Sequence, residues 1–272
     1  MGKRAERPGQ KGAATTPKKS ARSATAPPRK QPKAPIEPAK RNVAFPFELP
    51  KVSGAAKARA ARVLEELTRH YPSAHCELTY RSPHELLIAT ILSAQSTDVG
   101  VNKVTPALFA RFPAPQDYAA VTPEEIEPYI RSTGFFRNKA KAVHAAMSAI
   151  VERFGGEVPR TMDDLLSLRG VARKTANVVL GNAFNINAGF VVDTHIERLS
   201  RRFGLVPEGA TVQMIERYLM ALFPQESWCS LSHMFIWYGR RACKARMACC
   251  SDHPICREFG VHCELPRDKA KR

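Results

Sequence analysis

The chain has 272 residues, enough for one or two domains with a real core. Its 42 Lys and Arg outnumber 25 Asp and Glu, and the net charge of +17 favours a polyanionic partner such as DNA or RNA. No apolar run reaches the roughly 18 residues that a spanning helix needs, which excludes a transmembrane helix while leaving an anionic membrane surface compatible with the charge.

The charge is uneven. Residues 1–51 hold 13 Lys or Arg against 3 Asp or Glu, together with nine of the 21 prolines and few aliphatic side chains. This composition predicts a disordered basic tail, since it cannot bury enough apolar surface to offset the entropy of ordering. Such a tail can act as a mobile arm for phosphates or as a solubilising extension. A transit peptide is a third reading, opposed by the frequent proline.

Residues 55–69 form an amphipathic pattern with Val63, Leu64 and Leu67 on the side predicted to be buried. Ser82, Pro83 and Glu85 then supply an N-cap, a proline at the first helical position and a capping-box glutamate. The helix they open, LLIATILSAQ, is apolar nearly all round and belongs at the centre of a helical core. In its polar end Gln95 and Asp98 are candidates to face a ligand, although turn and capping roles for Ser96, Thr97 and Asp98 explain the run without one. Thr122, Pro123 and Glu125 repeat the capping signal ahead of a helix whose first turns Pro128 is expected to disturb. TGFFRNKAKAVHAAMSAIVERFGG predicts a turn and a long helix. Phe135 and Phe136 in that turn suit a core, or a wedge that stacks on exposed bases.

Thr161 as N-cap, with Asp163 and Asp164 in the first turn, opens a short helix to Leu168. Gly170 makes a turn, and Ala176, Val179, Leu180 and Ala183 give the next helix one apolar stripe. Helix, glycine turn and helix together present backbone N–H groups and a helix N-terminus to an anion such as a phosphate. Lys174 lies opposite the stripe. By itself it reads as a solvated cation, but held beside a sugar its amine can attack an aldehydic carbon and form a Schiff base. Asp193, between Val191–Val192 and THIERLSRRFGL, reads as an N-cap at least as well as a catalytic carboxylate. Helices over 211–223 and 226–238 complete the pattern, with Trp228, Phe235 and Trp237 as core residues. No stretch sustains period-two alternation, so the chain is predicted to be all-α.

LRGVARKTANVVL followed by VVDTHIERLSRRFGL resembles the helix-hairpin-helix and catalytic segments of the endonuclease III family of DNA glycosylases. The resemblance runs from about Ala60 to Cys263. It implies two helical domains with a cleft between them: a six-helix barrel carrying the hairpin over 76–186, and an iron–sulfur cluster domain built from 52–75 and 187–265, followed by a tail over 266–272. It implies Lys174 as the Schiff-base nucleophile and Asp193 as the residue that assists base departure. Gln95 matches the glutamine that fills the gap left by an extruded nucleotide, and the wedge position falls in the loop containing Phe135. The family hairpin usually reads LPGVG, where this chain has Arg169 for the proline and Ala172 for the second glycine. If that glycine must take a positive φ, alanine costs about 1 kcal/mol there. Arg169, Gly170, Ala172 and Arg173 are the hairpin's expected DNA contacts.

Of the seven cysteines, Cys243, Cys249, Cys250, Cys256 and Cys263 crowd the C-terminal part of the chain. Without a secretory signal a disulfide framework is out of place, and four thiolates fit tetrahedral zinc or a [4Fe-4S] cluster equally well by spacing alone. The resemblance favours the cluster, although the family's gaps of six, two and five residues are not kept. Cys243 and Cys250 retain the six-residue gap, His253 stands where the third cysteine belongs, and Cys256 and Cys263 give gaps of five and six. The implied ligands are Cys243, Cys250, Cys256 and Cys263, with Cys249 an alternative second ligand. Lys244 and Arg246 lie on a loop suited to the phosphate backbone.

The resemblance therefore implies a base-excision DNA glycosylase with abasic-site lyase activity on oxidised pyrimidines, acting as a monomer on damaged or abasic duplex DNA. Its expected location is the bacterial cytoplasm at the nucleoid, or the nucleus or mitochondrion in a eukaryote. An adenine-mismatch glycosylase would be expected to lack a lysine at position 174. A non-catalytic helix-hairpin-helix DNA-binding protein is the rival of a different class, and turnover on a thymine-glycol duplex separates the two.

Overall fold

A computed structural model describes residues 43–246 and 253–261. Twelve α-helices and no β-strand are present among the described residues. They enclose two hydrophobic cores. Most of the predicted tail, and the candidate ligands Cys249, Cys250 and Cys263, lie outside the described residues.

The first core is surrounded by α2 (Pro83–Leu92), α3 (Asp98–Arg111), α4 (Pro115–Ala119), α5 (Pro123–Ile130), α6 (Phe136–Phe154), α7 (Met162–Leu166) and α8 (Arg173–Phe184). As its unbroken apolar sequence predicts, α2 is buried over nearly its whole length, from Glu85 to Leu92. Each fully buried leucine or isoleucine there contributes about 1.5–3 kcal/mol of transfer free energy. Ser82 Oγ accepts from the Glu85 amide at 3.3 Å, and the Glu85 carboxylate accepts from the Arg81 amide at 2.6 Å. The helix start is thus fixed by the residues that announced it.

Two helices go beyond the sequence-based expectation here. The polar run after α2 is only a short turn, because Thr97 Oγ1 accepts from the Gly100 amide at 3.1 Å and starts α3. The short α4 follows at Pro115. Pro128 does not disturb α5, which stays helical to Ile130. A proline removes one hydrogen bond, and the burial of Ile126 and Ile130 on the core side holds the turns around it.

The second core is formed by α1 (Gly54–His70), α9 (Thr194–Arg202), α10 (Val212–Leu222), α11 (Trp228–Arg241) and α12 (Pro254–Phe259). Helix α11 packs on α1, α8 and α9, so it touches both halves. Residues 43–49 depart from the expected tail. Phe45, Phe47 and Leu49 pack on the second core, and Phe45 lies 6.0 Å from Trp228 between ring centroids. Aromatic side chains at alternating positions give this segment the apolar area that the residues before it lack.

The chain crosses between the cores twice, at 71–82 and at 185–193. The second crossing passes close over a buried ion pair. A Cβ on Gly189 would collide with the Glu216 carboxylate and come within 2.7 Å of Asn177 Nδ2, so only glycine fits.

Candidate active site

Thr161 Oγ1 accepts from the Asp164 amide at 3.2 Å and starts α7, as its sequence predicts. Gly170 then reverses the chain at φ +81°, a conformation that costs side-chain-bearing residues about 1 kcal/mol or more. Space excludes a side chain as well, since a Cβ on Gly170 would meet Ala142 Cβ at 2.8 Å. Ala172 behaves differently from the conditional expectation. It is the N-cap of α8 at φ −91° and ψ 168°, ordinary extended backbone that alanine adopts without strain. Having no side-chain acceptor, it leaves the first amides of α8 for an external anion.

Arg169 and Ala172 are exposed beside this turn. Arg173 is not directed to solvent. Its Nε donates to both Glu216 oxygens at 2.9 and 2.8 Å, and its guanidinium carbon lies 5.1 Å from the centre of the Phe47 ring. The sequence marked it as a phosphate ligand because the carboxylate that engages it is 43 residues away.

Lys174, the second residue of α8, is exposed. Asp193 is the N-cap of α9, and its Oδ1 accepts from the His195 and Ile196 amides at 2.9 and 2.8 Å. The cap is real, and it leaves Oδ2 without a hydrogen bond among the described residues. Lys174 and Asp193 line one hollow, together with Thr90, Ser93 and Asp98 from the first half and His233, Trp237 and Arg240 from α11. The lysine and the aspartate therefore border one hollow.

Sequence reasoning missed the frame of this hollow. Arg240 pairs with Asp98 Oδ2 at 2.8 Å and with Glu77, while Arg241 reaches Glu77 Oε1 at 3.3 Å. Three distant segments are tied at one point, and no local pattern announces such a tie. Trp237 packs on the second core, as expected, and also lines the hollow, with the Arg241 guanidinium carbon 3.6 Å from the centre of its ring. His233 donates through Nε2 to Asn182 Oδ1 at 2.8 Å, and its burial pushes its pKa down to about 4. It is neutral near pH 7.

Gln95 and Phe135 are both exposed, and both are non-glycine residues at positive φ, 53° and 46°. Phe135 is 67% exposed, whereas Phe136 packs against the first core beneath the guanidinium groups of Arg131 and Arg137. Of the two neighbouring phenylalanines, Phe136 takes the core reading and Phe135 stays outside the core.

Cys243 and Cys256 are buried in the second core. A hydrogen bond from Cys256 and the nearby Arg202 guanidinium, at 3.1 Å, pull the Cys243 thiol down to about 6 against the opposing effect of burial. Tyr238 Oη donates to Cys256 Sγ at 2.8 Å. Two adjoining sulfurs, one stabilised as thiolate, suit a thiolate-bound metal group. His253 packs its ring on Tyr71 and Tyr238. Arg202 also donates to the carbonyls of Lys244 and Ala245, at 3.1 and 3.3 Å, while the Lys244 and Arg246 side chains stay exposed.

Residues 88–225 match a family model described as the HhH-GPD superfamily base excision DNA repair protein. The chain is 54% identical over 196 residues to an endonuclease III of Synechocystis sp., covering 72% of this chain and 89% of that relative. A solved structure described as a non-covalent endonuclease III–DNA complex is 43% identical with a TM-score of 0.72, covering 75% of this chain and 95% of the other. Another, described as a trapped endonuclease III–DNA covalent intermediate, matches with the same identity, coverage and TM-score.

Proposed function

The chain belongs to the HhH-GPD superfamily of base excision DNA repair proteins and, within it, to the endonuclease III family, and from that premise we propose that Lys174 and Asp193 are its catalytic pair. The protein is a base-excision DNA glycosylase with abasic-site lyase activity that acts on damaged duplex DNA. The observation that carries the residue assignment is the opening of both side chains into one hollow.

A base within the stack hides its glycosidic carbon, so the nucleotide must be turned out of the duplex before attack. The lone pair of Lys174 Nζ attacks C1′, the C1′–N bond breaks and the base departs with the bonding pair. Loss of a proton from nitrogen and opening of the sugar ring give the Schiff base. Proton removal at C2′ then expels the 3′ phosphate by β-elimination, and water releases the lysine. Asp193 Oδ2 stabilises the positive charge that grows on the sugar as the base leaves. The other oxygen is held by the start of α9, so the carboxylate is fixed before substrate arrives. Oxidised pyrimidines are the lesion class that we assign.

The hairpin around Arg169, Gly170 and Ala172 grips a phosphate through backbone amides, with Lys244 and Arg246 contacting the backbone elsewhere. Gln95 and Phe135 occupy the gap left in the duplex. The two cores correspond to two domains, with the hollow between them as the lesion cleft. Cys243 and Cys256, with Cys250 and Cys263, hold a [4Fe-4S] cluster. When bound, the cluster supplies Fe–S bonds that fix the C-terminal loop, and Cys256→Ser is expected to lower both iron content and visible absorption.

Borohydride reduction of the protein on a thymine-glycol duplex tests the central assignment. Wild type is expected to give a covalent adduct and Lys174→Ala none. Undiminished trapping by Lys174→Ala removes the lysine from the mechanism.

A further inference from the structure

Lys139 is a cation in an unusual place. It lies in the first turn of α6 and is only 6% exposed, and no carboxylate pairs with it among the described residues. Burying an ammonium is costly unless hydrogen bonds replace its water. Here Nζ donates to Ser96 Oγ at 2.9 Å and to the Thr133 carbonyl at 2.7 Å, while Ser96 Oγ also donates to that carbonyl. Burial correspondingly lowers the Lys139 pKa.

The acceptors belong to two different loops. Ser96 follows Gln95 in the turn between α2 and α3, and Thr133 stands two residues before Phe135 in the turn before α6. Gln95 and Phe135 both sit in the left-handed region, each at a cost of order 1 kcal/mol that persists only where the surroundings hold it. The lysine, together with the direct Ser96–Thr133 bond, ties the two strained turns to each other. A neutral side chain would supply weaker bonds, because charge-assisted ones are shorter and about twice as strong.

We propose that Lys139 is a positioning residue that locks the Gln95 turn to the Phe135 turn, so that both tips enter one duplex at the same lesion. The proposal rests on the reading of Gln95 and Phe135 as the residues that fill the gap. It concerns insertion into a duplex and leaves the Lys174 chemistry untouched.

The test is a pair of substrates: a thymine-glycol duplex with 2-aminopurine opposite the lesion, and a single-stranded oligonucleotide with an abasic site that leaves no opposing base to displace. Lys139→Met removes the donors and keeps the apolar stem. Losing two charge-assisted bonds predicts a fall of about tenfold or more in kcat/KM on the duplex, with a smaller fluorescence rise on binding. Borohydride trapping on the abasic single strand should stay at the wild-type level. Ser96→Ala, which removes both the Lys139 acceptor and the direct bond to the Thr133 carbonyl, should lower the same two duplex readouts at least as far and serves if Lys139→Met does not fold. Equal losses on both substrates would mean that Lys139 only supports the fold, and unchanged duplex turnover would mean that it positions nothing. Either result overturns the proposal. If wild type traps on neither substrate, the Lys174 assignment fails first and this proposal falls with it.

Discussion

Arg173 and Glu216 form an ion pair, one Nε–H shared between both carboxylate oxygens, that joins the two cores beside the candidate nucleophile. Arg173 Nε lies 2.9 and 2.8 Å from the two Glu216 oxygens, and Asn177 Nδ2 donates to one of them at 3.1 Å. Glu216 belongs to α10 and Arg173 starts α8, so the pair sets how the end of the hairpin meets the second core. Lys174 is the next residue along.

Removing one member of this pair leaves the other desolvated. Glu216→Ala is expected to destabilise the protein by about 3 kcal/mol, the lower end of what breaking a buried pair costs, because Arg173 is partly exposed. Urea denaturation checks this. Arg173→Met should leave the slope of log K against log[salt] for duplex binding unchanged, whereas a lost phosphate contact would lower its magnitude by about 0.9.

Asp193 has two separable roles. Asparagine caps a helix as well as aspartate does, so Asp193→Asn should keep its melting temperature near wild type. The same variant loses the negative charge facing the sugar and should lose about 10²–10³-fold in single-turnover base removal. Asp193→Ala should lose the activity and about 1 kcal/mol of stability besides. An asparagine variant with full activity would reduce this residue to its cap.

The two glycine positions of the hairpin, one kept as Gly170 and one replaced by Ala172, predict different sensitivities. Gly170→Ala forces a side chain into positive φ and against Ala142, and should cost about 2–4 kcal/mol with weakened binding to undamaged duplex. Ala172→Gly restores the usual family residue and should change stability by less than about 0.5 kcal/mol, since the preference for glycine over alanine at an N-cap offsets the looser unfolded chain. Thermal melts and a filter-binding titration read both.

His233 gives the fold an acid-sensitive point. Its folded pKa is pushed down to about 4 from an ordinary 6.5 by burial, so the unfolded chain takes up the proton first as pH falls. The contribution is fully present above about pH 6.5 and is lost as pH drops towards 4, amounting to about 3 kcal/mol over that window. Stability measured from pH 7 to 4.5 should fall less steeply in His233→Gln than in wild type. Parallel curves would show that His233 does not contribute to the slope.

Much of the fold was legible locally. Ser82, Thr161 and Thr211 each accept from an amide at the start of the helix predicted to follow them, because a cap is a contact within three residues. Thr97 caps a helix, a role its run already offered, but α3 itself was hidden because a capping threonine and a polar loop share the same composition. Phe135 and Phe136 illustrate another limit. Adjacent and chemically alike, they are separated only by the turn that exposes one and packs the other.

The sequence by itself determined the helical class, the glycine turn and the pairing of a lysine with an aspartate nineteen residues on, since these rest on periodicity, capping and motif spacing along one stretch of chain. Only the tertiary structure decided which cations face outward. Arg173 is bound to Glu216, Arg240 to Asp98 and Glu77, and Lys139 to two loops, while Lys174 remains exposed at the hollow. The physical reason is that a side chain's partner is set by which distant elements pack beside it, and that information is spread over the whole chain.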